Sequence, residues 1–542
     1  MAKYIKLVQN QAELIAFKAS NDFVTPNVTL VYDNYTIDYN PIPDYLTFVA
    51  VEDGTFSFTK DGLSYSTDKE NWTALAANTP TPTVTTGSKI YFKGTMTPST
   101  RRPNYGIGTF SSTGNFTVSG TPMSLLFEDN FIGQTSLSGK GYAFYNLFKS
   151  CTKLTNIDDL LLPATTLASY CYGYMFYGCT GLTSIPTDLL PATTLASYCY
   201  QRMFNGCTGL TSIPTDFLPS TTLAPNCYQY MFFGCTGLTS IPNDLLPATT
   251  LAPNCYYGMF QGCTGLTSIP STLLPSTTLA DHCYDGIFQG CTGLTSIPTD
   301  LLPATTLSSY CYLYMFSGCT GLTSIPSTLL PSTTLADHCY DGIFQGCTGL
   351  TSIPSTLLPA TTLAMCCYGD MFSGCTGLTS IPSTLLPATT LNGSCYENMF
   401  NGCTGLTSIP STLLPATTLA INCYQYMFQD CTGLTSIPSD LLPATTLAMC
   451  CYGDMFSGCS NITTAPNLTA TTLVGNCYEY MFYGCNKLNS ICMLATDISA
   501  TSCLDNWVNG VASSGTFYKK SGVTIPTGTS GIPSGWTVED AA

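Results

Sequence analysis

The sequence predicts an α+β solenoid of about twelve 28-residue coils, each a short parallel strand, a loop and a short helix. Three observations carry this. A phrase that begins Cys-Thr-Gly-Leu-Thr-Ser-Ile-Pro at Cys179 restarts every 28 residues from Cys151 to Cys431, then at Cys459 and, 26 residues later, at Cys485. A fixed period in the twenties marks units that cannot bury their own apolar face and must stack on neighbours. Apolar residues hold constant places in every copy, as Leu182, Ile185, Leu189, Leu190 and Leu195 do in the copy from Cys179. The copies from Cys263 and from Cys319 are identical over all 28 residues, which makes much of the array scaffold.

Within a coil, Leu182-Thr183-Ser184-Ile185 is half apolar and rich in strand formers, and Pro186 ends it. Equivalent strands in successive coils would pair in parallel about 4.8 Å apart. Leu189-Leu190-Pro191 and Leu195 form a second apolar edge. Leu195, Cys199 and Met203 are then four apart, as are Tyr200 and Phe204, which puts them on one face of a short helix. Thr193 or Thr194 can cap its start and Gly206 suits its end. Pro225 and Pro253 fall in the first turn, where proline is tolerated, and Asp281 and Asp337 fall where the helix dipole favours an acid.

The motif Met203-Phe204, Cys207, Leu210, Ile213 resembles the Ala-Phe-x-x-Cys-x-x-Leu-x-x-Ile core of BspA-like leucine-rich repeats, with Met in the Ala place. The resemblance covers roughly residues 140 to 503 and implies a leucine-rich-repeat solenoid.

Charged residues make up only 9% of the 542, with a net charge of −16. Such a chain is a poor partner for nucleic acid or an anionic membrane, and no apolar run approaches the roughly 18 residues of a spanning helix. The opening residues Met1 to Lys6 contain no apolar signal-peptide core, which points to assembly without Sec export. None of the 29 cysteines precedes Cys151. Thirteen belong to the Cys151 series and thirteen to the Cys171 series; Cys366, Cys450 and Cys492 are extra. Cys179, Cys199, Cys207 and Cys227 show the pattern: two core-like places per coil, read as ladders of buried free thiols, with a disulfide framework as the other reading. No CxxC or His partner accompanies them, so no metal is expected.

Five segments follow in order. Residues 1–44 read as a small βαββ anchoring unit: a strand at Tyr4–Leu7, a helix opened by the capping box Asn10/Glu13, a hairpin of Val28–Tyr32 and Tyr35–Tyr39 around Asp33-Asn34, and a linker at Pro41-Ile42-Pro43. This opening resembles the N-terminal segments of structural proteins of phages that infect gut Bacteroidales, which implies docking to a virion. Residues 45–128 read as a β-sandwich-like domain, with strands at Tyr45–Val51, Thr55–Thr59, Leu63–Ser66, Lys89–Lys93 and Asn115–Ser119. Residues 129–150 form the N-terminal cap of the solenoid, 151–485 the repeats, and 486–542 a C-terminal β cap with aromatic residues between Gly/Pro turns.

Enzyme chemistry is not expected. His282 and His338 are one position in two identical copies, no nucleotide or hydrolase motif stands in a strand–turn–helix context, and no cofactor is implied. The informative variation lies just before and after the second Cys-Tyr pair and before the last Gly of each copy. These places lie off the Leu/Cys/Met face and should align into one exposed surface rich in Tyr, Asn and Gln. Tyr170, Tyr174, Tyr177, Tyr198, Arg202, Tyr230, Phe233, Tyr257, Tyr310 and Tyr314 are its candidate binding residues. Flat rings and adaptable amides suit a host cell-surface glycan or protein. The expected function is therefore a non-enzymatic recognition protein of a phage virion, a fibre or appendage made in the host cytoplasm. It would join other virion proteins through residues 1–44, and a homo-oligomer is compatible with it. The alternative is a bacterial cell-surface adhesin of the BspA type.

Overall fold

The computed structural model describes residues 28–32, 35–39, 44–101 and 105–541. Strands β1 (Val28–Tyr32) and β2 (Tyr35–Tyr39) pair antiparallel, with Val28 opposite Tyr39, as their alternation predicts. The helix and first strand expected before them, the Asp33-Asn34 turn and the proline linker lie outside the described residues.

Five further strands form where expected: β3 (Leu46–Ala50), β4 (Phe56–Phe58), β5 (Leu63–Ser66), β7 (Lys89–Gly94) and β9 (Phe116–Gly120), with β6 (Thr73–Leu75) and β8 (Phe110–Ser112) in addition. They make one six-stranded sheet, ordered β10-β9-β3-β7-β5-β6, and a two-stranded sheet of β4 and β8. Phe48 joins the two layers; its ring centroid lies 4.8 to 5.2 Å from those of Phe56, Phe92, Phe110 and Phe116. The sixth strand of the large sheet, β10 (Leu154–Leu160), belongs to the first repeat and pairs in parallel with β9. The β-rich region and the solenoid therefore share one sheet and one core.

The repeats contain no helix. Among the described residues the single α-helix is α1 (Ser124–Phe127), four residues long and outside the array. Where a helix was expected, the chain makes a turn every four residues. Tyr198, Arg202 and Gly206 take φ values of 61°, 54° and 72°. Alternate amides close four-residue β-turns: Gln201 N donates to Tyr198 O (3.2 Å) and Met203 N to Tyr200 O (3.1 Å). The amides between them cross to the next coil: Tyr200 N to Cys227 O (3.0 Å), Arg202 N to Gln229 O (2.9 Å), Phe204 N to Met231 O (2.9 Å) and Gly206 N to Phe233 O (2.7 Å). An α-helix closes its bonds four residues back within itself. This turn ladder spends half of its amides on holding the stack, and its period of four keeps Cys199, Met203 and Cys207 all facing inward.

The expected parallel strand is also missing from the interior coils. Proline cannot donate to a ladder, and every interior copy has one seven residues after its first cysteine, following Ile or, in the copy from Cys459, Ala465. The exceptions confirm the cause. Asp158 and Cys492 stand in the proline place of the first and last copies, and there β10 and β11 (Ser490–Met493) form. Between these ends, single Thr–Thr bridges at some coil pairs, such as Thr166 with Thr194 and Thr222 with Thr250, add to the bonds of the turn ladder. The glycine two places after the first-series cysteine in the ten copies from Cys179 to Cys431 is explained by the same stacking. A Cβ on Gly209 would lie 2.6 Å from Thr180 O and 2.8 Å from Leu182 O of the preceding coil.

Inside, phenylalanines stack from Phe148 to Phe482 with centroids 5.3 to 5.9 Å apart. Tyrosines stack beside them from Tyr172 to Tyr478 at 5.8 to 6.1 Å. At the C-terminal end the buried Trp507 takes the next place against Tyr478 and Phe482, its indole N–H donating to Gly531 O (2.9 Å). Strands β11, β12 (Thr516–Lys519) and β13 (Thr537–Asp540) pair in parallel, so the C-terminal sheet continues the stacking direction.

All cysteines are free, and those of the two series are buried. Each thiol of the Cys151 series donates to a phenylalanine carbonyl, 3.0 to 3.2 Å away, which in the array belongs to the preceding coil. Burial pushes these thiols up, to about 12 for Cys235, so they are poor nucleophiles. With thiol reagents, the native chain should label at the partly exposed Cys366, Cys450 and Cys492 alone. All 29 should label after unfolding without reductant. A large shortfall in denaturant would show disulfides instead.

Candidate functional site

The turn ladder creates the candidate surface. In each coil the pair of residues after each of the first two left-handed positions is buried, as Cys199-Tyr200 and Met203-Phe204 are. Side chains at these two left-handed positions, such as Tyr198 and Arg202, are on the outward side, and so are most of their preceding neighbours. All ten candidate binding residues lie on this side, and all are half-buried rather than open. The reason is that their rings cover each other.

One column stacks Tyr105, Tyr142, Tyr170 and Tyr198 at centroid separations of 4.6, 4.6 and 4.4 Å, within 6° of parallel. Tyr105 comes from the loop after β7, and sequence reasoning had no signal for its joining the repeats. Further along the same column Tyr310 is sandwiched between His282 and His338, 4.4 Å from each. The histidines pair through Nδ1 with Asp285 (2.9 Å) and Asp341 (2.8 Å). Rings stacked in this way hide their faces and offer edges. What the column presents is a row of hydroxyls and ring nitrogens.

The neighbouring column runs Tyr174, Arg202, Tyr230. The Arg202 guanidinium lies 5.7 Å from the Tyr174 ring and 4.3 Å from the Tyr230 ring. Tyr177 and Phe233 brace these two tyrosines, with centroids 5.6 Å apart in each pair, and Tyr257 meets Tyr230 edge-on at 4.9 Å. Tyr314 leans over the next coil, where a Cβ on Gly342 would touch its ring at 2.3 Å. The amides join in: Gln201 donates to Gln229 (2.6 Å) and Asn401 to Gln429 (2.8 Å).

Toward the C-terminus the surface turns acidic, with Asp285, Asp341, Asp370, Glu397, Asp454 and Glu479. Burial above all, with Asp341 and Glu397 nearby, pushes the Asp370 carboxyl up to about 6. Burial and then Glu479 do the same for Asp454. Among the described residues no group of three or more His, Cys, Asp or Glu side chains could hold a metal ion, and no helix is long and apolar enough to cross a membrane.

A stacked array with an invariant core of Leu, Phe and Cys and a variable outer row defines a repeat protein of the leucine-rich solenoid class. The profile of the BspA type leucine rich repeat region (6 copies) matches residues 142–270, 228–356, 258–382, 341–440 and 393–504, and the chain belongs to that family. No curated protein and no solved structure matches it. Repeats of this family suggest a surface or adhesion-type protein.

Proposed function

We propose that the chain is a non-enzymatic recognition protein carried on a surface, whose turn ladder presents its variable columns to a glycan or protein of a target cell. The observation that carries this is the contrast between columns on one backbone. Phe204 and Cys207 recur unchanged from coil to coil, while the outward places hold Tyr, Arg, Asn, Gln, His and Asp. Because the stacked rings offer edges, contact would come from rows of hydroxyls and amides repeated once per coil. Single weak bonds of this kind add up along a solenoid. We propose further that the surface is that of a virion fibre or appendage, with residues 1–44 as the attachment unit, a reading that rests on the resemblance of the opening sequence alone.

Changing Tyr174, Arg202, Tyr230 and Tyr314 together to Ser should leave the fold intact, since none of the four belongs to the buried ladders. Ser already takes the left-handed conformation at Ser394 (φ 55°). Retention on whole bacterial cells and on a glycan array should fall at least about tenfold, the loss of several modest contacts acting together. A folded quadruple variant that binds as its parent does would refute the reading. Mass spectrometry of purified phage particles against bacterial outer-surface fractions decides between the virion and the cell-surface placement.

A further inference from the structure

Near the C-terminal end the recognition face contains an open slot in which the two tyrosines that flank Arg202 recur around a different middle residue. In the column of Tyr174, Arg202 and Tyr230 the middle residue is a planar cation clasped by the rings of the coils before and after it. Nine coils further on, the same column reads Tyr426, Asp454, Tyr480. The backbones are equivalent: φ is 57°, 54° and 55° in the first trio and 59°, 52° and 51° in the second. One outer support matches as well, while Gln429 stands beside Tyr426 where Tyr177 stands beside Tyr174. Tyr480 is braced by Tyr483 with centroids 5.7 Å apart, as Tyr230 is by Phe233 at 5.6 Å. What differs is the filling. The short side chain of Asp454 cannot reach between the two tyrosine rings, and a groove of about 500 Å³ opens there, lined by Tyr426, Gln429, Asp454, Ser457, Tyr480 and Tyr483 among others.

We propose that this slot binds the guanidinium of an arginine side chain from a partner polypeptide, held between Tyr426 and Tyr480 and paired with the Asp454 carboxylate. This deepens the reading of the variable columns as a recognition surface and rests on it. Arg202 shows that two tyrosines of this column, two coils apart, accept a guanidinium between them. A planar, weakly hydrated cation suits two ring faces better than a compact ammonium does. The charge fits: no Lys, Arg or His lines the groove, Glu479 is the neighbouring acid, and the chain carries a net charge of −16. Asp454 is also short of company. Its side chain makes no hydrogen bond to the described residues, and burial with Glu479 beside it pushes its carboxyl up to about 6. It is ionised at neutral pH and gains from an incoming cation what the fold does not supply.

The test uses the full chain and three blocked tripeptides, Gly-X-Gly, with X arginine, lysine or citrulline. Citrulline keeps the planar shape without the charge. Calorimetry should show millimolar binding of the arginine peptide, at least five-fold weaker binding of the lysine peptide and none of the citrulline peptide. Asp454→Asn, nearly isosteric, should weaken the arginine peptide at least five-fold, and Tyr480→Ala should do likewise. Asp454→Arg is the decisive variant. It should fill the slot from within, as Arg202 fills its own, abolishing peptide binding while leaving the melting temperature equal or higher. Equal binding of the lysine or citrulline peptide, or full binding to folded Asp454→Arg, would overturn the proposal. Self-association of the parent that Asp454→Arg abolishes would overturn the partner assignment and seat a second copy there. The slot variants leave Tyr174, Arg202, Tyr230 and Tyr314 untouched. If the slot fails while the quadruple variant still loses cell binding, only the arginine assignment falls.

Discussion

Gly293→Ala should be among the most damaging single substitutions the array can suffer, costing about 3 kcal/mol for one methyl group, at the upper end of what overpacking a well-packed site costs. The added Cβ would stand 2.5 Å from Thr264 O and 2.7 Å from Leu266 O, and both are backbone atoms of the preceding coil. Neither can rotate away, so the coils must separate. That separation strains the amides that cross between them, such as Gly262 N to Gln289 O (2.7 Å) and Phe260 N to Ile287 O (2.9 Å). The chain supplies its own control. Gly286→Ala places a methyl at a left-handed position (φ 57°) where the nearest atom is Gln289 Oε1, the end of a flexible side chain, at 3.4 Å. Arg202 and Tyr314 already occupy that place in other coils. Its cost should stay near the roughly 1 kcal/mol that an L-residue incurs at positive φ. Urea midpoints of the two variants against the parent measure the difference. Equal midpoints would mean that the coils stack more loosely than the structure has them.

This glycine also illustrates which parts of the fold were legible. Periodicity reported what is buried, and so placed Cys199, Tyr200, Met203, Phe204 and Leu210 inside, where they are. It could not report which backbone buries them. A spacing of four fits a helix over one or two turns and fits the turn ladder indefinitely. The discriminating signal was the residue type at every fourth place. Asn226, Asn254 and Asn422 in one column, with Gly258, Gly286, Gly342 and Asn398 in the next, tolerate positive φ far better than most residues do. A helix face would have no use for them. The missing strands were legible in the prolines, and the two surviving strands in the Asp158 and Cys492 that replace proline. The candidate residues lie outside the buried ladders, half-buried, and the stacking that covers them was not readable. Stacking depends on which residue occupies the same column one coil away, and Tyr105 enters from a loop with no repeat to mark it.

The other large effect belongs to the phenylalanine ladder. Phe316 is fully buried, with the rings of Phe288 and Phe344 stacked against it at 5.8 Å on each side. Phe316→Ala should cost about 3 to 5 kcal/mol, the range for emptying a well-packed aromatic site. The upper half of that range is expected, because the cavity cannot collapse. The backbone at this point is pinned on both sides, with Phe316 N donating to Ile343 O of the following coil (2.9 Å) and Met315 O accepting from Phe288 N of the preceding one (3.1 Å). A coil so held cannot move inward to fill the space. In a solenoid each interior coil has two interfaces, so the cavity weakens the coupling to both neighbours at once. Hydrogen exchange should therefore show the lost protection centred on the coils around Phe316, with the amides around Phe148 and Trp507 much less affected. Phe316→Leu, which keeps most of the volume, should recover more than half of the stability. A uniform loss of protection along the whole chain would mean that the array unfolds as one cooperative block. The nearest-neighbour account of its stability would then be wrong.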